Sequence, residues 1–253
     1  MSRLSRYAVW VSVLVCAVMV MGAVAGAATL QEIKDRGVLK AAVVDFESGP
    51  FVYTKDGAIV GLDVDLLNLI AEKIGVKLEL VRLPWDKGIT LCWDPAYTWD
   101  KFDISATSIT IKEARAEVCD FSEWYVTTGQ MLLVRSDSGY KSLADLKDKK
   151  IASMAGSTGE EAAKATFPAE NYVSLPDMAA VFDAVRSKTV DAAVYDGPQI
   201  LVLAKEDNTF AVLEDLLTKE RYGVAMPKGS DLKPLVDELV KEHRKALYDK
   251  WMK

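Results

Sequence analysis

The stretch GLDVDLLNLIAEKIGVKLELV, residues 61–81, decides the fold of this chain. Leu66, Ile70 and Ile74 recur at a spacing that places them on one face of a helix. Gly75 follows them and favours the left-handed conformation in which helices commonly end. The next six residues, VKLELV, alternate between apolar and polar side chains, as is typical of a half-buried strand. The stretch therefore predicts a helix followed directly by a β-strand.

The alternation of helices and strands continues on both sides of this stretch. Upstream, LQEIKDRGVLKAAVV predicts a short helix, a stop at Gly37 and a strand near residues 39–44, followed by a loop with a hairpin. Downstream, further strands and helices alternate up to a closing amphipathic helix. Such alternation indicates an α/β protein built from parallel βαβ units. The units form two sets, before and after GQMLLVR (residues 129–135), and no linker rich in Pro, Gly or Ser separates them.

The N-terminus has the three-part layout of a secretory signal peptide. Arg3 and Arg6 precede a long apolar run, which ends in small residues. We expect cleavage after Ala27, with Ala25 and Ala28 as alternatives. An uncleaved membrane anchor is the competing interpretation, because the apolar run is nearly long enough to span a bilayer. The small residues favour cleavage, and the sequence therefore predicts a soluble, periplasmic protein.

The charge of the chain excludes some classes of partner. The full chain carries a net charge of −6, and loss of two arginines with the signal peptide would make it −8. This acidic balance argues against binding to nucleic acid or to an anionic membrane. The remaining length suits one large domain or two small lobes.

Two cysteines remain outside the signal peptide, Cys92 and Cys119. In an exported chain such a pair suggests a disulfide, which would stabilise the fold by roughly 3–4 kcal/mol. A reactive thiol pair is the alternative, but the C-x-x-C spacing is missing. The single histidine, His243, lies in the charged closing helix and is expected to be solvated. No set of residues has metal-ligand spacing or nucleophile–base character, so no metal, cofactor or catalytic residue is predicted.

The ends of the predicted strands collect polar and aromatic residues. In open α/β sheets, ligands bind beyond the carboxyl ends of the strands. The residues that follow successive strands are Asp45, Glu47 and Phe51; Pro84 and Trp85; Ser108, Thr110 and Arg115; Gly156, Ser157 and Thr158; and Asp196. Each has a plain structural interpretation when taken alone, such as a helix N-cap, a solvated helix residue or a core residue.

Together these residues suit a small zwitterion. A carboxylate is bound best by a planar bidentate cation, which Arg115 supplies. Hydroxyls and free helix-start N–H groups would surround it at Ser108, Thr110 and Thr158. Asp196 would accept hydrogen bonds from an ammonium group.

The whole pattern resembles the extracellular solute-binding proteins of family 3, the amino-acid receptors of ABC importers. The resemblance rests on the order and spacing of GLDVDLLNLIAEKIGVKLELV, FDISATSITIKEAR, CDFSEWY, TGQMLLV, SLADLKDKKIASMAGST, VDAAVYD and YGVAMPKGSDLKPLVDELV. It implies a type II periplasmic binding protein fold, in which two lobes joined by two crossing strands close on a ligand. The implied first lobe is residues 28–130 plus 223–253, and the second is residues 131–222. It also implies a monomer that delivers its ligand to a membrane permease.

The resemblance gives the candidate residues roles. It makes Arg115 the carboxylate clamp, with Ser108, Thr110 and Thr158 beside it, and Asp196 the acceptor for the ligand ammonium. The side-chain pocket would be framed by Asp45, Ser48, Phe51 and Trp85. Acids at positions 45 and 47 would suit a polar or cationic side chain.

Two features depart from the family pattern. Lys112 stands where the family has a threonine, and it would either face solvent or add a second cation to the site. The segment WDKGITLCWDPAYTWDKF, residues 85–102, is longer than usual and rich in tryptophan. A bridge from Cys92 to Cys119 would pin this extra loop.

Two other functions compete with an amino-acid receptor. Some proteins of this fold are dehydratases that act on cyclohexadienyl acids; here Glu47 or Lys112 would have to serve as the general acid. A ligand-sensing subunit that docks on a separate membrane receptor is the third hypothesis.

Overall fold

The computed structural model describes residues 26–253, and the predicted signal peptide lies outside this range except for its last two residues. The helices are α1 (Leu30–Arg36), α2 (Leu62–Ile74), α3 (Glu113–Ala116), α4 (Thr158–Thr166), α5 (Met178–Arg186), α6 (Gly197–Glu206) and α7 (Lys233–Trp251). The strands are β1 (Val38–Val44), β2 (Tyr53–Lys55), β3 (Ala58–Val60), β4 (Lys77–Leu83), β5 (Ile104–Ser105), β6 (Cys119–Phe121), β7 (Val126–Thr128), β8 (Gln130–Arg135), β9 (Ile151–Met154), β10 (Tyr172–Leu175), β11 (Ala192–Asp196), β12 (Phe210–Leu213), β13 (Glu220–Tyr222) and β14 (Ala225–Pro227). Within residues 26–253, no helix is long and apolar enough to cross a membrane.

The first sheet is built around the helix and strand of residues 61–81. Its strand order is β4-β1-β5-β14-β6, with β4 and β5 parallel to β1 and with β14 antiparallel to β5 and β6. The predicted face of α2 is buried, because Leu66 and Ile70 are fully inaccessible and Ile74 is nearly so. The helix ends at Gly75, whose φ of 85° lies in the left-handed region that glycine adopts without strain. This half of the α/β prediction is confirmed.

The second sheet has the order β10-β9-β11-β8-β12. Strands β10 and β11 run parallel to β9, whereas β8 is antiparallel to both β11 and β12. The apolar faces of α4, α5 and α6 pack against it; Val181 and Ile200 are fully buried. Parallel strands require long crossovers, and here the helices supply them.

The chain crosses between the two sheets twice. Strand β7 follows the first sheet and precedes the second, and β13 leads back; the two pair antiparallel as a separate two-stranded ribbon. Residues 220–227 form two separate strands, β13 and β14. Gly223 ends β13 and donates its N–H to the carbonyl of Ile109 at 3.0 Å. The two-lobed α/β class with crossing strands is thus confirmed.

The tryptophan-rich segment folds onto the first sheet. Its centre is a short 3₁₀ helix, Ile89–Trp93, and Ile89 is fully buried. Further along, the rings of Tyr97 and Phe102 stack at 5.4 Å, and Trp99 meets Phe102 edge-on at 5.3 Å. Aromatic packing therefore holds this segment in place.

The predicted disulfide is absent from the structure. Cys92 and Cys119 are both buried, free thiols. The Cys119 thiol instead donates to the carbonyl of Arg115 at 3.2 Å, one helical turn earlier. Burial raises the pKa of each thiol to about 12, so both stay protonated at neutral pH and neither has the character of a reactive thiolate.

Candidate functional site

A small cavity lies between the two sheets, at the carboxyl ends of their strands. Its walls come from both sides of the molecule: Val44, Phe46, Ser48, Trp85, Thr107, Ser108, Thr110 and Arg115 on one side, and Met154, Ser157, Thr158, Tyr195, Asp196 and Gln199 on the other. Its volume of about 20 Å³ has room for about one water molecule. The two sides therefore meet closely, and a molecule much larger than water enters only if they part.

Arg115 presents a buried cation to this cavity. Its side chain is 7% exposed, and Nη1 donates to the carbonyl of Thr110 at 3.0 Å. The guanidinium lies over the ring of Trp93, 3.9 Å from the centroid. Burial lowers the pKa of Arg115, while the charges of Glu161, Glu220 and Asp196 raise it. No carboxylate in residues 26–253 forms an ion pair with Arg115, so most of its five N–H donors remain available for an anion.

Asp196 supplies the opposite charge at the end of β11. Its Oδ1 accepts a hydrogen bond from Gln130 Nε2 at 3.0 Å and another from the Tyr222 hydroxyl. Burial raises the pKa of Asp196 to about 7 and the nearby Glu220 adds to this, although Tyr222, Gln130 and Arg115 pull the pKa down. A ligand ammonium would favour the ionised form, because an opposite charge lowers the pKa of a carboxyl group.

Two threonines face each other across the cavity. The hydroxyl oxygens of Thr110 and Thr158 are 3.5 Å apart. Both hydroxyls donate to the same oxygen of Glu220, at 2.6 Å and 3.1 Å respectively. Gln130 Nε2 also donates to Thr158, at 3.1 Å. Because Thr158 is the first residue of α4, its backbone N–H has no acceptor within the helix.

Ser108 is held in an unusual conformation by a buried acid. Its φ is 51°, in the left-handed region that non-glycine residues seldom adopt. The N–H of Ser108 donates to Asp63 Oδ2 at 2.7 Å, and its hydroxyl accepts from Gln199 Nε2 at 3.1 Å. Asp63 is fully buried in α2, and burial raises its pKa to about 7. The hydrogen bond from the N–H of Ser108 to Asp63 thus holds the backbone of Ser108 where the Ser108 hydroxyl contacts Gln199 on the other side of the cavity.

The remaining walls are largely apolar, with two unpaired polar atoms. Phe46, Met154 and Tyr195 contribute apolar surface. Within the described chain, the buried Nε1 of Trp85 and Oε1 of Gln199 have no hydrogen-bond partner. One is a donor and the other an acceptor, so the cavity wall offers both to a polar side chain.

Most of the predicted site residues share this cavity. They are Ser48, Trp85, Ser108, Thr110, Arg115, Thr158 and Asp196. The structure corrects the prediction that Asp45 frames the side-chain pocket, because the side chain of Asp45 is exposed and does not line the cavity. The reason is strand-like alternation, which turns Val44, Phe46 and Ser48 inward and Asp45 and Glu47 to solvent.

The structure also corrects the prediction that Phe51 frames the side-chain pocket. Phe51 is fully buried and does not line the cavity; its ring meets that of Tyr222 edge-on at 5.5 Å. Phe51 therefore packs against Tyr222 of the crossing strand β13 and does not contribute to the cavity wall.

Lys112 also lies outside the cavity. It forms an ion pair with Glu161 of α4, so it links the two sides at their surface. Glu47 accepts from the N–H and the hydroxyl of Thr54, at 2.6 Å and 2.8 Å. Neither group considered as a general acid therefore faces the enclosed space.

Three residues at or beside the site were not found from the sequence: Gln199, which lines the cavity, and Gln130 and Glu220, which are hydrogen-bonded to Thr158 of the cavity wall. Gln199 follows Asp196 by three positions in the first turn of α6, so helical spacing alone would have placed it nearby. Gln130 begins β8 and Glu220 begins β13, and no local pattern marks either one.

Comparison with known proteins places these features in context. The family model "Bacterial extracellular solute-binding proteins, family 3" matches residues 41–253. The "Glutamine-binding protein" of Geobacillus stearothermophilus is 31% identical over 209 residues, which cover 81% of this chain and 78% of the relative. The "L-cystine-binding protein TcyJ" of Escherichia coli (strain K12) is 29% identical over 234 residues, covering 88% and 85%.

Solved structures are similar over the same range. A substrate-binding protein of an amino acid ABC transporter from Streptococcus pneumoniae, bound to L-arginine, has a TM-score of 0.79 and 29% identity, covering 88% of this chain and 95% of that one. The ancestral amino acid-binding protein AncCDT-1, a precursor of cyclohexadienyl dehydratase, has a TM-score of 0.78 and 34% identity, covering 89% and 100%.

Proposed function

The chain belongs to the bacterial extracellular solute-binding proteins of family 3, and we propose that it captures an amino acid and delivers it to the membrane permease of an ABC importer. The observation that carries this proposal is that Arg115 and Asp196, which carry opposite charges, both line the same cavity. Within residues 26–253, Arg115 is a buried cation without a carboxylate ion-pair partner, and Asp196 is a desolvated acid without a cationic ion-pair partner. An α-amino acid has both complementary charges on adjacent groups, so it suits both at once.

The two sides of the cavity act as lobes that open and close. The proposed first lobe is residues 28–130 plus 223–253 and the second is residues 131–222. Their boundaries fall beside the ribbon formed by β7 and β13. Polar contacts across the gap, such as those of Ser108 with Gln199 and of Thr110 with Thr158, can be exchanged for contacts with a ligand or water. Rotation about the ribbon would admit the ligand.

The ligand is oriented by the two charges. Its carboxylate lies against Arg115 and the start of α4, and its ammonium against Asp196. Its side chain then extends towards Trp85 and Gln199, whose unpaired atoms favour a polar group. The cationic preference suggested by Asp45 and Glu47 has no support from those residues, since both point to solvent.

The remaining parts of the proposal follow from the export signal and the family. The protein acts in the periplasm after cleavage near Ala27, as a monomer that docks on its permease. Its relatives are named as binding proteins rather than enzymes. We favour binding without catalysis here, because the two groups considered as general acids, Glu47 and Lys112, lie away from the cavity.

A thermal-shift screen tests the proposal. The protein without residues 1–27 is heated with each amino acid, with polyamines and with dicarboxylates. A ligand at a thousand times its dissociation constant adds about 4 kcal/mol to the free energy of unfolding. We expect one amino acid or a few related ones to raise the Tm. If no amino acid changes the Tm, the proposal is wrong.

A further inference from the structure

Glu220 accepts hydrogen bonds from two residues of the cavity wall, Thr110 and Thr158, and lies on the strands that join the two lobes, although its own side chain is not part of that wall. It begins β13, pairs with Thr128 of β7 and is 7% exposed. Its Oε2 accepts from Thr110 and Thr158, and its Oε1 accepts from the hydroxyl of Thr218 at 2.8 Å. Both carboxylate oxygens are thus bound by hydroxyls.

In the part of the chain that the structure describes, no lysine or arginine forms an ion pair with Glu220. Arg115 is near enough for Glu220 to raise its pKa, yet its described hydrogen bond goes to the carbonyl of Thr110. Burial of a carboxylate without a counter-ion is costly, so a cation that enters the cavity would gain from its presence.

The hydrogen bonds to Glu220 also determine which hydrogen bonds the hydroxyls of Thr110 and Thr158 can make with a ligand. A hydroxyl has one proton to donate and two lone pairs that accept. The protons of Thr110 and Thr158 are both directed to Glu220. Their oxygens can therefore accept a hydrogen bond from a ligand but have no proton left to donate to a carboxylate. Beside the two threonines, a ligand carboxylate must therefore be bound by other donors, such as Arg115, the Ser108 hydroxyl and backbone N–H groups.

We propose that Glu220 is a specificity-determining residue of the ligand site, which selects amino acids with a net positive or zero charge and rejects those with a net negative charge. Arg115 contributes one positive charge to the site, while Asp196 and Glu220 contribute two negative charges. The surplus is one negative charge, which a cationic ligand neutralises and an acidic ligand increases. The inference rests on the proposed function, because it assumes that an amino acid occupies the cavity.

Isosteric ligand pairs separate this charge effect from fit. Arginine and citrulline differ mainly by a positive charge, and glutamate and glutamine differ mainly by a negative one. Calorimetry on the wild-type protein should show tighter binding of arginine than citrulline, and of glutamine than glutamate. In Glu220→Gln, each ratio should fall by about tenfold, as expected when one partly screened charge is removed. Glu220→Asp keeps the charge and should retain most of both ratios.

The outcomes are distinguishable. If Glu220 has a purely structural role, Glu220→Gln weakens all four ligands by the same factor and leaves the ratios unchanged, which overturns the inference but not the proposed function. A wild-type protein that binds glutamate as tightly as glutamine overturns it without any variant, should Glu220→Gln fail to fold. A wild-type protein that binds some other amino acid but no member of either pair also overturns the inference about Glu220 and leaves the proposed function standing. Failure to bind any amino acid removes the proposed function as well.

Discussion

The guanidinium of Arg115 lies over the ring of Trp93, with its central carbon 3.9 Å from the ring centroid. Trp93 ends the 3₁₀ helix of the tryptophan-rich segment, so this segment forms the support beneath the cation. A stacked arginine keeps its N–H edge free for a planar anion, because the aromatic face occupies only one side of the guanidinium. The tryptophan-rich segment thus supports Arg115 through Trp93 and contributes to the cavity wall through Trp85.

Replacement of Arg115 by Ala should abolish detectable binding of any amino acid in calorimetry. The change removes the buried cation in the cavity wall and leaves the ligand carboxylate without a counter-charge. Arg135→Ala is the matched control, since Arg135 pairs with Asp137 at the surface, away from the cavity. Binding by Arg115→Ala at the wild-type affinity would show that the carboxylate lies elsewhere.

Replacement of Trp93 by Leu should weaken binding without abolishing it. Loss of a desolvated cation–π contact costs roughly 0.5–2 kcal/mol, which corresponds to a fewfold to about thirtyfold change in Kd. Trp99→Leu is the control, because Trp99 packs on Phe102 in the same segment and should lower the Tm while the Kd stays unchanged. Equal effects of the two variants on Kd would assign the loop a general structural role.

The sequence predicts the sheets and the charged pair better than it predicts the rest of the site. Strand and helix periods identify which residues follow strands, and Arg115, Thr158 and Asp196 were located on that basis. Gln130 and Glu220 depend on contacts between distant parts of the chain, such as the bond from the Gln130 N–H to the Thr218 hydroxyl. No local pattern encodes such contacts.

Asp45 shows where strand-end reasoning goes wrong. Residues after a strand were treated as one group facing the ligand. The chain continues to alternate through residue 48, so alternate residues face opposite sides and the acids at 45 and 47 point to solvent. These two acids therefore give no support to a preference for a cationic side chain, whereas Asp196 lines the cavity and Glu220 is hydrogen-bonded to two threonines of its wall.

Replacement of Trp85 by Phe should change side-chain selectivity. The variant keeps an aromatic wall but loses the unpaired Nε1 donor. We expect the Kd for a ligand with a polar side chain to rise by about tenfold, as for a lost hydrogen bond, and the Kd for an apolar ligand to change little. Comparison of glutamine with methionine by calorimetry measures this difference, and a parallel change for both would contradict the assigned donor role.

Replacement of Lys112 by Ala should have a small effect on affinity. The ion pair of Lys112 and Glu161 crosses between the lobes, but the two side chains are 30% and 60% exposed. Exposed pairs contribute about 0–1 kcal/mol, so the Kd should rise by less than about fivefold. High salt should reduce even that difference. Loss of binding comparable to that in Arg115→Ala would instead place Lys112 in the ligand site.

Asp196 should make ligand binding and stability depend on pH in opposite directions. Its pKa in the ligand-free protein is about 7, mainly because of burial. Binding of an ammonium requires the ionised carboxylate, so the affinity should increase as the pH rises from about 5 to about 8. The folded pKa lies above the unfolded one; the stability contribution is therefore full below about pH 4 and is lost as the pH rises through about 7.

Asp196→Asn separates the two effects. The amide cannot ionise, so at about pH 8 the ligand-free variant should be more stable than the wild type. Its free energy of unfolding should be higher by as much as about 4 kcal/mol, and its Tm should rise accordingly. The same variant should bind amino acids far more weakly, because the acceptor charge for the ammonium is gone. Asp63 has a raised pKa in the same range and contributes a similar pH dependence of stability in both proteins, so the difference between them reports on Asp196. Asp183→Asn, at an exposed helix position, should change neither property. A lower Tm for ligand-free Asp196→Asn at about pH 8 would mean that the ionised carboxylate is already compensated within the protein and does not await a ligand cation.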